Sequence, residues 1–104
     1  MNEKLKESLK LLPSLPGCYI YYNSDNEVIY VGKAKILKRR VMSYFNRKNH
    51  DSVKVNILVS QIDHLEYIIT NTEVEALILE SHLIKKHKPI SNLLSRFLSN
   101  YLLL

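Results

Sequence analysis

Cysteine occurs once in the 104 residues, so no disulfide can form within the chain, and a reducing, cytoplasmic setting is the expectation. Tryptophan is absent, and only two glycines and three prolines interrupt a sequence that is 46% apolar; that composition excludes disordered and collagen-like classes. No apolar run approaches the roughly 18–20 residues that cross a bilayer, and the start MNEKLKESLK lacks the apolar stretch of a secretory signal, so no membrane partner is expected. The histidines His50, His64, His82 and His87 show no zinc-ligand spacing, and there is no second cysteine to complete such a site. Neither a Walker A loop nor a dinucleotide glycine motif is present. What the chain has instead is basic charge: 15 lysines and arginines against 10 acidic residues, a net +5, which makes a polyanion a partner to consider.

Residues 1–104 are enough for one modest core and read as a single domain. Helical spacing of Leu5, Leu9 and Leu12 marks a helix over 3–12, stopped by Pro13. Two strands, 18–22 and 27–31, flank the turn residues Asn23, Ser24, Asp25 and Asn26. A basic helix over 34–45 follows, and a looser segment, 46–51, leads to a helix marked by Val55, Leu58, Val59 and Ile62. A third strand is expected over 65–70. The longest helix, 73–87, has Thr72 and Glu75 placed as a capping box, with Pro89 forbidding continuation. So few strands make a small sheet that helices must cover, an α/β layer structure.

Three features of this outline carry chemistry. If the turn closes symmetrically, Tyr19 faces Tyr30 and Gly17 faces Gly32, setting two phenols side by side beside bare backbone; a packed cross-strand aromatic pair is the simpler reading. On the long helix Glu80 is flanked by Ala76, Leu77, Leu83 and Ile84, so a carboxylate stands in an apolar stripe and needs a cation, a set of donors or a metal ion; a structural salt bridge would serve equally. Of the basic residues Lys33, Lys35, Lys38, Arg39 and Arg40, most suit a solvated face. Arg40 differs, because it stacks one turn before Tyr44 at the border of an apolar side, where its fork of donors could reach a phosphate. Cys18 reads as a small buried hydrophobe.

The strings GCY (17–19) and YVG (30–32), with LPSLPGCYIYY, EVIYVGKAKILKRRVMSYF and EVEALILESHLIKKHKPISN, resemble the GIY-YIG nuclease family over most of the chain to Asn92. The resemblance implies a small three-stranded antiparallel sheet covered by helices, and metal-dependent hydrolysis of a DNA phosphodiester with Mg2+ or Mn2+. It places the metal-binding glutamate on Glu80, the signature tyrosines on Tyr19 and Tyr30 and the basic pair on Lys33 and Arg40. It also sets Tyr44 near the scissile phosphate and gives Asn92 a supporting place; beside this, the positions of Lys35, Lys38 and Arg39 suit solvent or the backbone of bound DNA. Tyr30 is assigned as base with Tyr19 as its hydrogen-bonded support, and nearby cations such as Lys33, Arg40 and the metal are expected to favour phenolate or relay a proton. In the family's excision-repair branch the cut falls on the 3′ side of a lesion after delivery by a loading protein.

Past Asn92 the chain reads LLSRFLSNYLLL, which departs from the family's charged continuation. Two rival readings stand beside the enzyme: a non-catalytic nucleic-acid-binding module on the same fold, and an interaction domain that uses Phe97 to Leu104 as its contact.

Overall fold

The structure, a computed structural model, describes residues 1–46 and 53–92; the loop expected over 46–51, with His50, and the tail from Phe97 to Leu104 lie outside them, apart from Asn46. The elements run α1 (Glu3–Lys10), β1 (Gly17–Tyr22), β2 (Val28–Ala34), α2 (Leu37–Phe45), α3 (Val53–Gln61), β3 (His64–Ile69) and α4 (Glu73–His87). The strands form one sheet in the order β2-β1-β3, antiparallel at both pairings. β1 is central, which is why Gly17 through Tyr21 are all buried. Alternation sends Tyr19 and Tyr21 into a core with Leu5, Leu9, Leu37, Val41 and Leu58, and turns Cys18 toward α4, whose Ala76 carbonyl accepts the thiol at 3.1 Å.

α1 starts on Asn2, whose side chain accepts the Leu5 N–H at 2.7 Å, and ends two residues short of expectation, though Leu12 still packs inside. α4 has the expected bounds. Its Thr72 hydroxyl accepts the Glu75 N–H at 3.1 Å, but the Glu75 carboxylate reaches the Asn71 N–H rather than that of Thr72, so the box closes one residue earlier than its usual form. Lys88, left-handed at φ 47°, ends the helix just before Pro89.

Two expectations are corrected. β2 continues through Gly32, Lys33 and Ala34, which pair with Tyr19, Cys18 and Gly17, so α2 begins at Leu37 instead of residue 34. The hairpin register also differs: Tyr19 faces Gly32, Tyr21 faces Tyr30 and Gly17 faces Ala34. The turn takes in Glu27, because the Asn23 side chain accepts the N–H groups of Asp25 and Glu27 and Asn26 adopts φ 61°; a bulge between Tyr21 and Tyr22 adds the remaining offset. An even offset leaves Tyr19 and Tyr30 on one face. Gly32 is bare because a Cβ there would overlap the Cζ and Oη of Tyr19; at Gly17 one would overlap the Ile68 carbonyl oxygen.

Candidate active site

β1, β2 and α2 bring four tyrosines into one cluster. The ring of Tyr19 lies 6.2 Å from Tyr30 and 5.7 Å from Tyr44, and its hydroxyl is 2.9 Å from that of Tyr44. Tyr44 stands between the two signature tyrosines, hydrogen-bonded to Tyr19 and within electrostatic reach of Tyr30; the expected direct Tyr19–Tyr30 hydrogen bond does not form among the described residues. Tyr21, which sequence reasoning missed, packs 5.2 Å from Tyr19 and 6.1 Å from Tyr30, and its hydroxyl is buried without a partner among the described residues. Its spacing of two from Tyr19 on a strand was the available signal.

Arg40 rises from α2 with its guanidinium 5.3 Å from the centroid of the Tyr44 ring and directed at the Tyr19 hydroxyl. Its main body is exposed, as are Lys35, Lys38 and Arg39, which therefore present charge to solvent rather than to the cluster.

Cations do not win at the phenols. Burial pushes Tyr19 up to about 12, with the neighbouring Tyr30 adding and the Tyr44 and Arg40 contacts opposing. Burial likewise raises Tyr30 and Tyr44, and Arg40 opposes it only in part. Arg40 by itself does not offset this desolvation; the expected phenolate relies on Lys33 and a bound metal ion as well. Burial also pushes the Cys18 thiol up to about 11, which suits a packed side chain and not a nucleophile.

Across β2 the arrangement changes. Lys33, three residues beyond Tyr30, projects to the α4 side, where its ammonium is 3.7 Å from the Glu73 carboxylate. Glu80 lies on α4 close enough to Tyr30 and Cys18 to act on both electrostatically. It is half-buried rather than sunk in an apolar stripe, since its neighbour Leu77 is 51% exposed. Among the described residues no lysine or arginine forms an ion pair with it. Nor do three His, Cys, Asp or Glu side chains gather into a cage among those residues. A cation at Glu80 would thus be held by one carboxylate with water filling its other positions, a mode that suits magnesium and not structural zinc. Asn92 touches none of these groups: its side chain accepts the Val31 N–H and donates to the Val31 carbonyl, both at 2.8 Å, clamping the outer edge of β2 between Tyr30 and Gly32.

The model of the UvrC-like GIY-YIG domain family matches residues 15–93. The chain belongs to the UvrC-like GIY-YIG family. It is 58% identical over 86 residues to UvrABC system protein C of Clostridium tetani and 57% identical over 90 residues to that of Methanococcus maripaludis. These matches take in 83% and 86% of this chain but 14% and 17% of those proteins, so it spans about a sixth or less of their length. A crystal structure of the GIY-YIG N-terminal endonuclease domain of UvrC from Thermotoga maritima, bound to its catalytic divalent cation, magnesium, superposes with a TM-score of 0.77 at 42% identity. That superposition covers 88% of this chain and 98% of the other. The strings GCY (Gly17 to Tyr19) and YVG (Tyr30 to Gly32) both lie within the residues that the family model matches.

Proposed function

We propose that this chain is a magnesium- or manganese-dependent DNA endonuclease domain that makes the 3′ incision of nucleotide excision repair, in the cytoplasm, with a UvrB-like loading partner when it works within a UvrC-length protein. The observation that carries the reading is the joint placement of Tyr19, Tyr30, Tyr44 and Arg40 in one cluster at the edge strand, with the unpaired carboxylate of Glu80 beside it.

A phosphodiester resists attack because it is already anionic, so its hydrolysis needs a proton acceptor for water and counter-charge on the phosphate. Tyr30 serves as base in its phenolate form, which the positive charge of a cation on Glu80 would favour: its Oη takes the water proton and becomes the neutral phenol, beside the hydrogen-bonded Tyr44 and Tyr19 hydroxyls. Glu80 would hold the divalent cation, which when bound would supply positive charge to the developing phosphate and leaving oxygen. Arg40, over the Tyr44 ring, presents its fork of donors to a phosphate oxygen. Lys35, Lys38 and Arg39 hold the DNA backbone through long-range attraction. Asn92 keeps Tyr30 in place through Val31.

A second reading, a nucleic-acid-binding module without catalysis, is favoured by the raised phenols, which keep the cluster neutral in the metal-free state. Nicking of supercoiled plasmid with magnesium or manganese, and with chelator, separates the two. The enzyme nicks only with the cation, and Tyr30→Phe lowers the rate by roughly 10²-fold or more while keeping the ring packed. Binding without nicking under any of these conditions selects the module, and a Tyr30→Phe variant that cuts at the parent rate across pH removes Tyr30 as base.

A further inference from the structure

Lys33 enters the site by resemblance, yet its ammonium is held by Glu73, the first residue of α4, at 3.7 Å. The two side chains are 35% and 50% exposed, and a pair so open to water contributes little to stability. Its geometry is more informative. Glu73 and Glu80 are seven residues apart, about two helical turns, so they share one side of α4 about 10.5 Å apart along its axis. Tyr30 and Lys33 are three residues apart on β2, about 10 Å. α4 packs along β2 with Glu73 at Lys33, and Glu80, a similar distance along the strand, is within electrostatic reach of Tyr30, whose ring lies on the other face.

We propose that Glu73 is a positioning residue of the site: by holding Lys33 it sets how far α4 stands along β2, and so where Glu80 stands relative to Tyr30. This rests on the nuclease reading above. The Cys18 thiol tethers the next turn of α4 at Ala76, where the helix packs on β1 and β2. The Lys33–Glu73 pair adds a polar contact at the first turn, which orients the ammonium and the start of the helix rather than stabilising the fold.

The test compares the full chain with Glu73→Gln, Lys33→Met and the double variant. Single-turnover cleavage in magnesium, duplex affinity in chelator and the folding midpoint are measured for each. Glu73→Gln should cut about tenfold more slowly, since small misplacements in such sites are costly. Its DNA affinity should be unchanged or tighter, because a negative charge has been removed beside the polyanion, and its midpoint should match the parent. If Glu73 acts through Lys33, the double variant cuts no more slowly than Lys33→Met. Cleavage by Glu73→Gln at or above the parent rate overturns the proposal. So does a loss shared equally by affinity or folding, or an additive loss in the double variant. An inactive parent overturns the nuclease reading and this proposal with it, whereas an active parent with an indifferent Glu73→Gln removes the proposal alone.

Discussion

A methyl group added at Gly32 tests the pairing at the centre of the signature. In Gly32→Ala the new Cβ would overlap Cζ and Oη of Tyr19 and stand 2.8 Å from its Cε1. The ring has nowhere to go: Tyr19 is 1% exposed and lies 5.2 Å from the Tyr21 ring and 5.7 Å from that of Tyr44. Overpacking of this kind costs about 1–3 kcal/mol, and loss of the Tyr19–Tyr44 hydrogen bond adds about 1 kcal/mol. Against this, alanine in a strand gains up to about 1 kcal/mol over glycine. The net expectation is a loss of about 1–3 kcal/mol, read as a lower urea midpoint at unchanged slope. Cleavage should fall with it, because the displaced ring carries the hydroxyl chain. Tyr19→Phe removes the oxygen that the methyl meets, so Gly32→Ala with Tyr19→Phe should lose less than the sum of the two. A Gly32→Ala domain as stable as the parent, or strict additivity, would refute the clash.

Glu80→Gln keeps size but removes charge, so the magnesium-dependent rise in melting temperature and the cleavage should both vanish. In chelator its melt should stay within about 0.5 kcal/mol of the parent, since the group is half-buried with no ion pair among the described residues. A loss of about 3–5 kcal/mol in chelator, with cleavage kept, would instead mean a structural salt bridge. Asn92→Ala removes both 2.8 Å bonds to Val31 and should cost about 1–2 kcal/mol, with cleavage falling further than denaturation midpoints explain; equal losses would reduce Asn92 to a structural clamp. Folding raises Cys18 from 9.0 to about 11 and Tyr19 from 10.0 to about 12 by burying their neutral forms. That contribution is complete below pH 9 and is lost as pH climbs through the 9–12 window, so the tyrosinate absorbance removed by Tyr19→Phe should be the part that appears together with unfolding. That part forming well before unfolding would contradict it.

Patterns that one residue or one helical face can carry were legible in the chain. Thr72, Glu75 and Pro89 delimited the long helix because caps and breakers act locally, and α4 spans Glu73–His87 as they require. The hairpin was legible as a hairpin but not in its register. That depended on the Asn23 side chain drawing Glu27 into the turn and on a bulge, neither of which is written in the turn's composition. Glu80 was legible as an exception on its helix. Its half-exposure was not, because α4 buries only Ala76 fully and leaves Leu77 and Ile78 largely in water.

The sequence by itself determined the element types, the basic surface, the common face of Tyr19 and Tyr30, and the family to which these strings belong, since each rests on local spacing or residue identity. Only the tertiary structure decided that Tyr19 stands over Gly32, that Tyr44 bonds Tyr19 beside Tyr30, that burial overrides Arg40 at the phenols, and that Lys33 faces Glu73 across the strand from them. Each of these depends on which groups far apart in the chain share a small volume and how much water that volume excludes. Desolvation and cross-strand contact are properties of the packed whole, and no single segment carries them.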